Sequence, residues 1–472
     1  MPAHLGIGLM SGTSADAVDA ALVEIDASNA ARPVRLVRFI AHPMPPSLQK
    51  RLFRVMAPGA PTSASEVCQL NVEVGRLFAD AAISVAGSSL PDVEWVGSHG
   101  QTIAHVPRVD EARGWLTRSS LQIGEPSEMA QALGVTVVAD FRPRDMACGG
   151  GGAPLMPAAE AVLFRHLLRG GGGGGGGGGR GGGGGGDEGE RVSDQGAALV
   201  LQNIGGMGSL TALSATGDVI ASFDTGPGNM VMDFIVRERG ASVDKDNAAA
   251  PHQQFDAGGA LAAQGRVVPS ALTWALAHRF FGTSPPRSGG HEHFGSEFAR
   301  AFYERCDASS DRGRLPSDVT CDALRTALEL TAVTIVDSIR SHVGPIGGSF
   351  SLPQGDGGDD GVDWARVATS ASARGPGRDD RGCVLLSGGG ANNSTLVARL
   401  RELAPELRWL TTSEAGVDPD AKEAVGFAVL GYLTLAGCVG NSHATGAKEL
   451  SVLGKICHPG LGKAIPTFEA LE

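Results

Sequence analysis

Apolar residues recur along the chain in two rhythms. Near the start, short runs at 5–10, 20–25 and 36–41 read as consecutive strands. Residues 64–86 carry the three-to-four-residue spacing of a helix; 93–97 is a strand, 126–133 a short helix and 135–139 a further strand. Residues 154–168 open with Pro154 and predict a helix, because proline's missing N–H has no partner in a first turn anyway. The second half repeats the theme. Strands are predicted at 198–201, 208–213, 219–223 and 383–387, and helices at 229–239, 271–281, 294–305, 317–342, 393–403 and 420–435. Strand-rich openings followed by strand–helix units, twice over, predict two α/β domains of related build. The division is expected near residue 190, giving 1–190 and 191–472.

Composition narrows the function classes. Of 472 residues, 42% are hydrophobic and 19% charged, which excludes a natively disordered chain. A net charge of −12 argues against a general binder of nucleic acid or of anionic membranes, since phosphate surfaces reward positive charge. The 7 cysteines are scattered and never form a C-x-x-C pair, so neither a disulfide framework nor a structural zinc site is expected. No secretory leader is visible, and no apolar run approaches the ~20 residues of a membrane span, so a soluble, cytoplasmic protein is expected. Glycine is the outlier at 70 residues, 16 of them in Gly170–Gly186. That Gly-rich insert (170–190) and an Asp-rich one at 353–382 read as solvated loops.

The remaining glycines lead to the chemistry, because they gather with Ser, Thr, Asn and Asp directly after predicted strands. The turn Met10-Ser11-Gly12-Thr13-Ser14-Ala15-Asp16, continuing to Asp19, offers backbone N–H and hydroxyl donors of the kind phosphate oxygens take. An aspartate just beyond it suits Mg²⁺, which prefers carboxylate and water oxygens. Phe223-Asp224-Thr225-Gly226-Pro227-Gly228-Asn229 presents Asp224 at a strand end running into a helix. A catalytic base and a capping residue are both open readings there. Ser387-Gly388-Gly389-Gly390-Ala391-Asn392-Asn393 and Asn203-Ile204-Gly205-Gly206 are further glycine turns after strands. His99, in Gly97-Ser98-His99-Gly100-Gln101-Thr102, is open as a substrate contact, a base or a packed loop histidine. Glu423, at the start of an apolar helix, complements the helix dipole on the simplest reading. Phosphate-friendly turns in both halves suit a nucleotide held in a cleft, with Asp224 as base. Phosphoryl transfer asks little more of a protein than charge neutralisation, positioning and one such group.

Seven blocks occur in order: LGIGLMSGTSADAVDAALVEID, VGSHGQTIAHVP, LQIGEPSEMAQALGVTVVADFRPRDMACGGGGAPLMPA, NIGG, FDTGPGNMVMD, SGGGANN and DAKEAVGFAVLGYLTLAG. Together they resemble the anhydro-N-acetylmuramic acid kinase family, of the actin/hexokinase/Hsp70-like ATPase fold. The resemblance implies an α/β protein of two actin-like ATPase domains, of related ribonuclease H-like topology, flanking a nucleotide cleft. It implies ATP and Mg²⁺ as cofactors. In the implied reaction water opens a 1,6-anhydro sugar at C1, and the freed O6 takes the γ-phosphoryl group. Gly12, Thr13, Ser14, Ala15, Asp16, Ala17, Val18 and Asp19 would cradle the phosphates, with Asp16 on the metal. Asn203, Gly205, Gly206, Gly226, Gly228, Gly388, Gly389, Gly390 and Asn393 would line the nucleotide. Asp224 would be the base and Glu423 would support the water or the sugar. The expected partners are the anhydro sugar and ATP, with neither nucleic acid nor membrane, in a homodimer. A kinase of another anhydro sugar such as levoglucosan, and a non-catalytic nucleotide-binding member, are the alternatives. Two positions and one block depart from the family pattern. Gly151 stands for a usual Gln, Ser209 for a usual Asn, and Pro285–Glu292 for a PPKSTGRE-like block.

Overall fold

The computed structural model describes residues 3–12, 14–29, 32–57, 59–168, 196–239, 254–309, 315–347 and 381–460. Both inserts lie outside the described residues, apart from 381 and 382, the end of the Asp-rich one. The chain forms two compact units, Met1–Leu163 with Ala421–Glu472, and Phe164–Asp420. The expected division at 190 is therefore corrected in two places. The first unit ends earlier, and the last stretch of the chain returns to it.

In the first unit, β1 (His4–Ser11), β2 (Ala17–Ile25) and β3 (Val34–Pro43) form an antiparallel meander. The other edge of β1 pairs in parallel with β4 (Val93–Val106), and β4 in turn with β6 (Thr136–Ala139). β5 (Ser119–Ile123) pairs with the far part of β4, and β12 (Lys455–Cys457) with β6. Strand alternation on β1 divides the two faces. Ile7 and Leu9 join the apolar cluster that includes Leu70, Val74, Phe78 and Ala82 of the helix Ala64–Ala86. Gly6 and Gly8 point the other way, where the helix Lys422–Leu435 lies on the sheet. A methyl group on Gly8 would run into the carbonyl of Ala424, and one on Gly97 of β4 into that of Phe427. Glycine in these strands thus lets a helix backbone approach a strand backbone directly. Trp95 seals the contact, its indole N–H donating to the Ala428 carbonyl at 2.9 Å.

The second unit repeats the plan. β7 (Ala197–Ile204), β8 (Met207–Ser214) and β9 (Val219–Pro227) form the meander, and β7 pairs in parallel with β10 (Cys383–Ser387), β10 with β11 (Arg408–Thr411). Its core surrounds the helix Pro316–Ser338, most of whose side chains are buried. The predicted strands all form. β4 runs nine residues beyond its expected end, and β5, β11, β12 and the helix Pro46–Met56 were not anticipated. The helix expected over 271–281 is shorter, Pro269–Leu276.

Candidate functional site

Parallel strands send their carboxyl ends to one edge of a sheet, where α/β proteins hold ligands. In the first unit that edge carries the ends of β1 and β6 and the middle of β4. The turn after β1 is tight: Ala15 N–H donates to Gly12 O at 3.1 Å, and Ala15 takes a φ of 44°. Ser14 Oγ donates to the exposed Asp16 carboxylate at 2.6 Å, and the Gln101 amide holds the Gly12 carbonyl at 3.1 Å. A Cβ at Gly12 would meet only Ser14 Oγ, at 4.0 Å. Ala15 and Val18 are buried in the apolar core, so their side chains are withdrawn from any nucleotide. Ala17, Val18 and Asp19 already belong to β2. Thr13 lies outside the described residues.

His99 is a packed histidine. It is 4% exposed and lies 4.7 Å from the ring of Phe427. The hydrogen bonds assign its tautomer: Nδ1–H donates to Gly100 O at 3.0 Å, and Nε2 accepts from Arg142 Nε at 2.9 Å. With its lone pair so engaged, His99 is not a free base. Burial pulls its pKa down to about 3, and Arg142 adds to the effect. An unfolded chain therefore gains a proton at His99 below about 6.5, whereas the folded protein does not until about 3. Stability from this group is full above that window and is lost as pH falls through it, by about 1.4 kcal/mol per pH unit for one linked proton. His99→Gln, which keeps a donor and an acceptor, is expected to flatten the fall of melting temperature between about pH 6.5 and pH 4. An unaltered slope would show that His99 is not held neutral.

Arg142 is a functional candidate that the sequence reading missed. It follows β6, donates to Gly152 O at 3.1 Å, and its charge faces Glu423 and then Asp145. Burial lowers its pKa to about 10, so it stays cationic at neutral pH. Glu423, in the first turn of Lys422–Leu435, is half-buried beside that cation. Its neighbour Lys422 is fully buried and pairs with buried Glu160 at 2.5 Å. A cleft of about 340 Å³ opens at the same edge, lined among others by Asn71, Ser98, His99, Gln122, Glu125 and Asp140. Ser98 Oγ and Gln122 Oε1 are buried without a hydrogen-bond partner.

In the second unit β7, β9 and β10 run the same way, so three of the glycine turns meet at one edge. Gly205 and Gly206 are tied to the end of β9: Gly228 N–H donates to Gly206 O and Asn229 N–H to Gly205 O, at 2.9 and 2.8 Å. Ser387, opposite Asn203 in the ladder, donates to the Asn203 side chain at 3.0 Å. Gly388, at φ 75°, and Gly390 lack side chains because a Cβ on either would strike the Ile204 region, while Gly389 is exposed. Asn393 caps the helix Ser394–Leu403, its Oδ1 accepting from Leu396 N–H at 3.0 Å.

Asp224 does not cap a helix; it lies within β9, 6% exposed. Ser209 Oγ donates to Oδ1 at 2.8 Å, and Ser288 Oγ and Gly289 N–H donate to Oδ2 at 3.1 and 2.9 Å. Burial raises its pKa, these three donors oppose the rise, and Glu292 adds to it. Arg287, itself buried, donates Nε to the Asp224 carbonyl at 3.0 Å.

Most of the chain matches one protein family, described as anhydro-N-acetylmuramic acid kinase, over residues 4–169, 190–346 and 366–459. The chain belongs to the anhydro-N-acetylmuramic acid kinase family. Relatives of that name share 34% identity with it in Caldanaerobacter subterraneus subsp. tengcongensis (96% of each chain) and 34% in Gloeobacter violaceus (97% of this chain, 100% of the relative). A Bacillus cereus relative is 32% identical over 96% of this chain and 98% of its own. A solved ROK family glucokinase from Streptomyces griseus, in complex with glucose and AMPPNP, is similar at 13% identity and a TM-score of 0.33, covering 91% of this chain and 99% of its own. Of the departures from the family pattern, Gly151 has only Ala153 O, at 3.2 Å, near the place a side chain would begin. Ser209, by contrast, touches Asp224 directly.

Proposed function

We propose that this kinase uses ATP to open the 1,6-anhydro ring of 1,6-anhydro-N-acetylmuramic acid with water and to phosphorylate O6, giving N-acetylmuramic acid 6-phosphate. The observation that carries the reading is Asp224, a carboxylate buried at the edge where three glycine turns meet. Burial raises its proton affinity, and its three donors oppose that rise by favouring the ionised form. In this reading Asp224 takes a proton from water as the hydroxyl bonds to C1. The C1–O6 bond breaks with its electron pair on O6, and O6 attacks the γ-phosphorus, releasing ADP.

The remaining roles follow from residue chemistry. The turn Gly12–Asp19 offers hydroxyl and main-chain donors to phosphate oxygens. Gly205, Gly206 and the exposed Gly389 allow a nucleotide to lie close to the backbone, with Asn203, Gly226, Gly228, Gly388, Gly390 and Asn393 shaping those turns. Asp16 is an exposed carboxylate, and a hard cation with several waters suits it. Among the described residues no group of three or more His, Cys, Asp or Glu side chains is arranged for a metal. A single carboxylate plus phosphates and water is a usual way to hold Mg²⁺, which when bound neutralises phosphate charge. Glu423, beside the Arg142 cation, supports the sugar, and the cleft at Ser98 and Gln122 offers unfilled hydrogen bonds to sugar hydroxyl or amide groups. Among the described residues no helix is long and apolar enough to cross a membrane. A cytoplasmic homodimer, with access to ATP, completes the proposal.

Coupled ADP release tests it. With 1,6-anhydro-N-acetylmuramic acid the expected result is sugar-dependent ADP formation and, in H₂¹⁸O, a 6-phosphate product carrying one solvent oxygen at C1. No release above the sugar-free background would remove the reading. Levoglucosan belongs in the same panel, because Gly151 and Ser209 depart from the family pattern and a preference for that sugar would favour a variant kinase.

A further inference from the structure

We propose that Oδ1 of Asp224 is the atom that accepts the water proton, and that Ser209 is the positioning residue that holds this oxygen and sets its basicity. The inference rests on the reading of Asp224 as the base and adds to it which oxygen acts and what controls it.

An ionised carboxylate has about four lone-pair directions. Oδ2 spends two of them, on Ser288 Oγ and Gly289 N–H. Oδ1 spends one, on Ser209 Oγ. One direction is left, and it lies on Oδ1. The carboxylate has little freedom to turn and exchange its oxygens. The segment that fills Oδ2 is bound to the Asp224 main chain from both sides, Asp224 N–H donating to Arg287 O at 2.9 Å and Arg287 Nε returning to Asp224 O. The guanidinium is fixed in turn by the carbonyls of Phe281 and Thr283 at 3.3 and 2.9 Å, and by Ser338 Oγ at 3.3 Å. Ser209 stands directly opposite Asp224 in the β8–β9 ladder, so sheet register sets its distance.

A serine hydroxyl brings a property that the Gly289 N–H lacks. It can rotate, donating to Oδ1 while Asp224 is ionised and accepting from it once the proton has arrived. Both protonation states are then hydrogen-bonded in a buried place, where an unpaired polar group is costly. The charged groups that face Asp224 are Arg287 and Glu292, of opposite sign, and both act in every variant below.

The test is the pH dependence of kcat/KM for the anhydro sugar in Ser209→Ala, Ser209→Thr and Asp224→Asn, with ATP Kd measured alongside. Removing a donor to the charged form raises proton affinity. The acidic limb is therefore expected to move up by about one pH unit in Ser209→Ala, the worth of one hydrogen bond to a charged group, with kcat falling about tenfold. ATP Kd is expected to stay unchanged, and Ser209→Thr to restore limb and rate. If Ser209→Ala does not fold, Ser209→Val against Ser209→Thr isolates the hydroxyl at constant shape. An unmoved limb with near-normal kcat, while Asp224→Asn is inactive, overturns the role of Ser209 and leaves the base in place. An active Asp224→Asn overturns the base, and this inference with it.

Discussion

Asp224→Asn is expected to lower kcat by at least about 10²–10⁴-fold, the contribution of a positioned general base, or roughly 3–5 kcal/mol of barrier. The fold has a way to accept this change. With its carbonyl oxygen in the place of Oδ2, the new amide keeps the donors Ser288 Oγ and Gly289 N–H. Its NH₂ then falls in the place of Oδ1, and Ser209 turns to accept from it. A group with no basic lone pair thus replaces the carboxylate, while size and hydrogen bonding are kept. ATP Kd and melting temperature should change little. Activity above about a tenth of wild type would show that the base lies elsewhere.

The second large effect is on stability. Glu160→Ala is expected to cost about 3–5 kcal/mol, because it leaves the Lys422 ammonium buried at 2% exposure without its carboxylate. For a unit of this size that is a fall in melting temperature of roughly 10 °C. Lys422 opens its helix, where the dipole is unfavourable to a cation, so no local feature compensates the loss. The double variant Glu160→Leu/Lys422→Met should recover most of it, since replacing a whole buried pair by apolar side chains is often neutral or stabilising. Calorimetry of Glu160→Ala, of Lys422→Met and of the double variant decides this. Single variants that melt like wild type would mean that water reaches the pair.

Much of the candidate site is local in sequence and was legible there. The glycine turns at Ser11–Asp16, Asn203–Gly206 and Ser387–Asn393 stand at strand ends, as the apolar runs predicted, whereas β9 runs on through Asp224 to Pro227. Asn393, expected beside the nucleotide, also caps the helix Ser394–Leu403. For Asp224 the sheet removes the capping reading, since it lies within β9 and accepts from Ser209, Ser288 and Gly289. His99 resolves to the packed histidine because Arg142, 43 positions away, fills its lone pair.

By itself the sequence determined most of the strands and helices, though not β5, β11, β12 or Pro46–Met56, and that the plan occurs twice. It also carried the ordered blocks by which the family is recognisable. These follow from the side-chain period and from residue types that act within a few positions. Tertiary structure alone decided that Ala421–Glu472 returns to the first unit, because the bare faces of Gly8 and Gly97 accept only a closely approaching helix backbone. It alone joined Lys422 to Glu160, Arg142 to His99 and Glu423, and Ser209 to Asp224. Burial makes those polar partnerships necessary, and strand register chooses the partners; neither is written in any short stretch of chain.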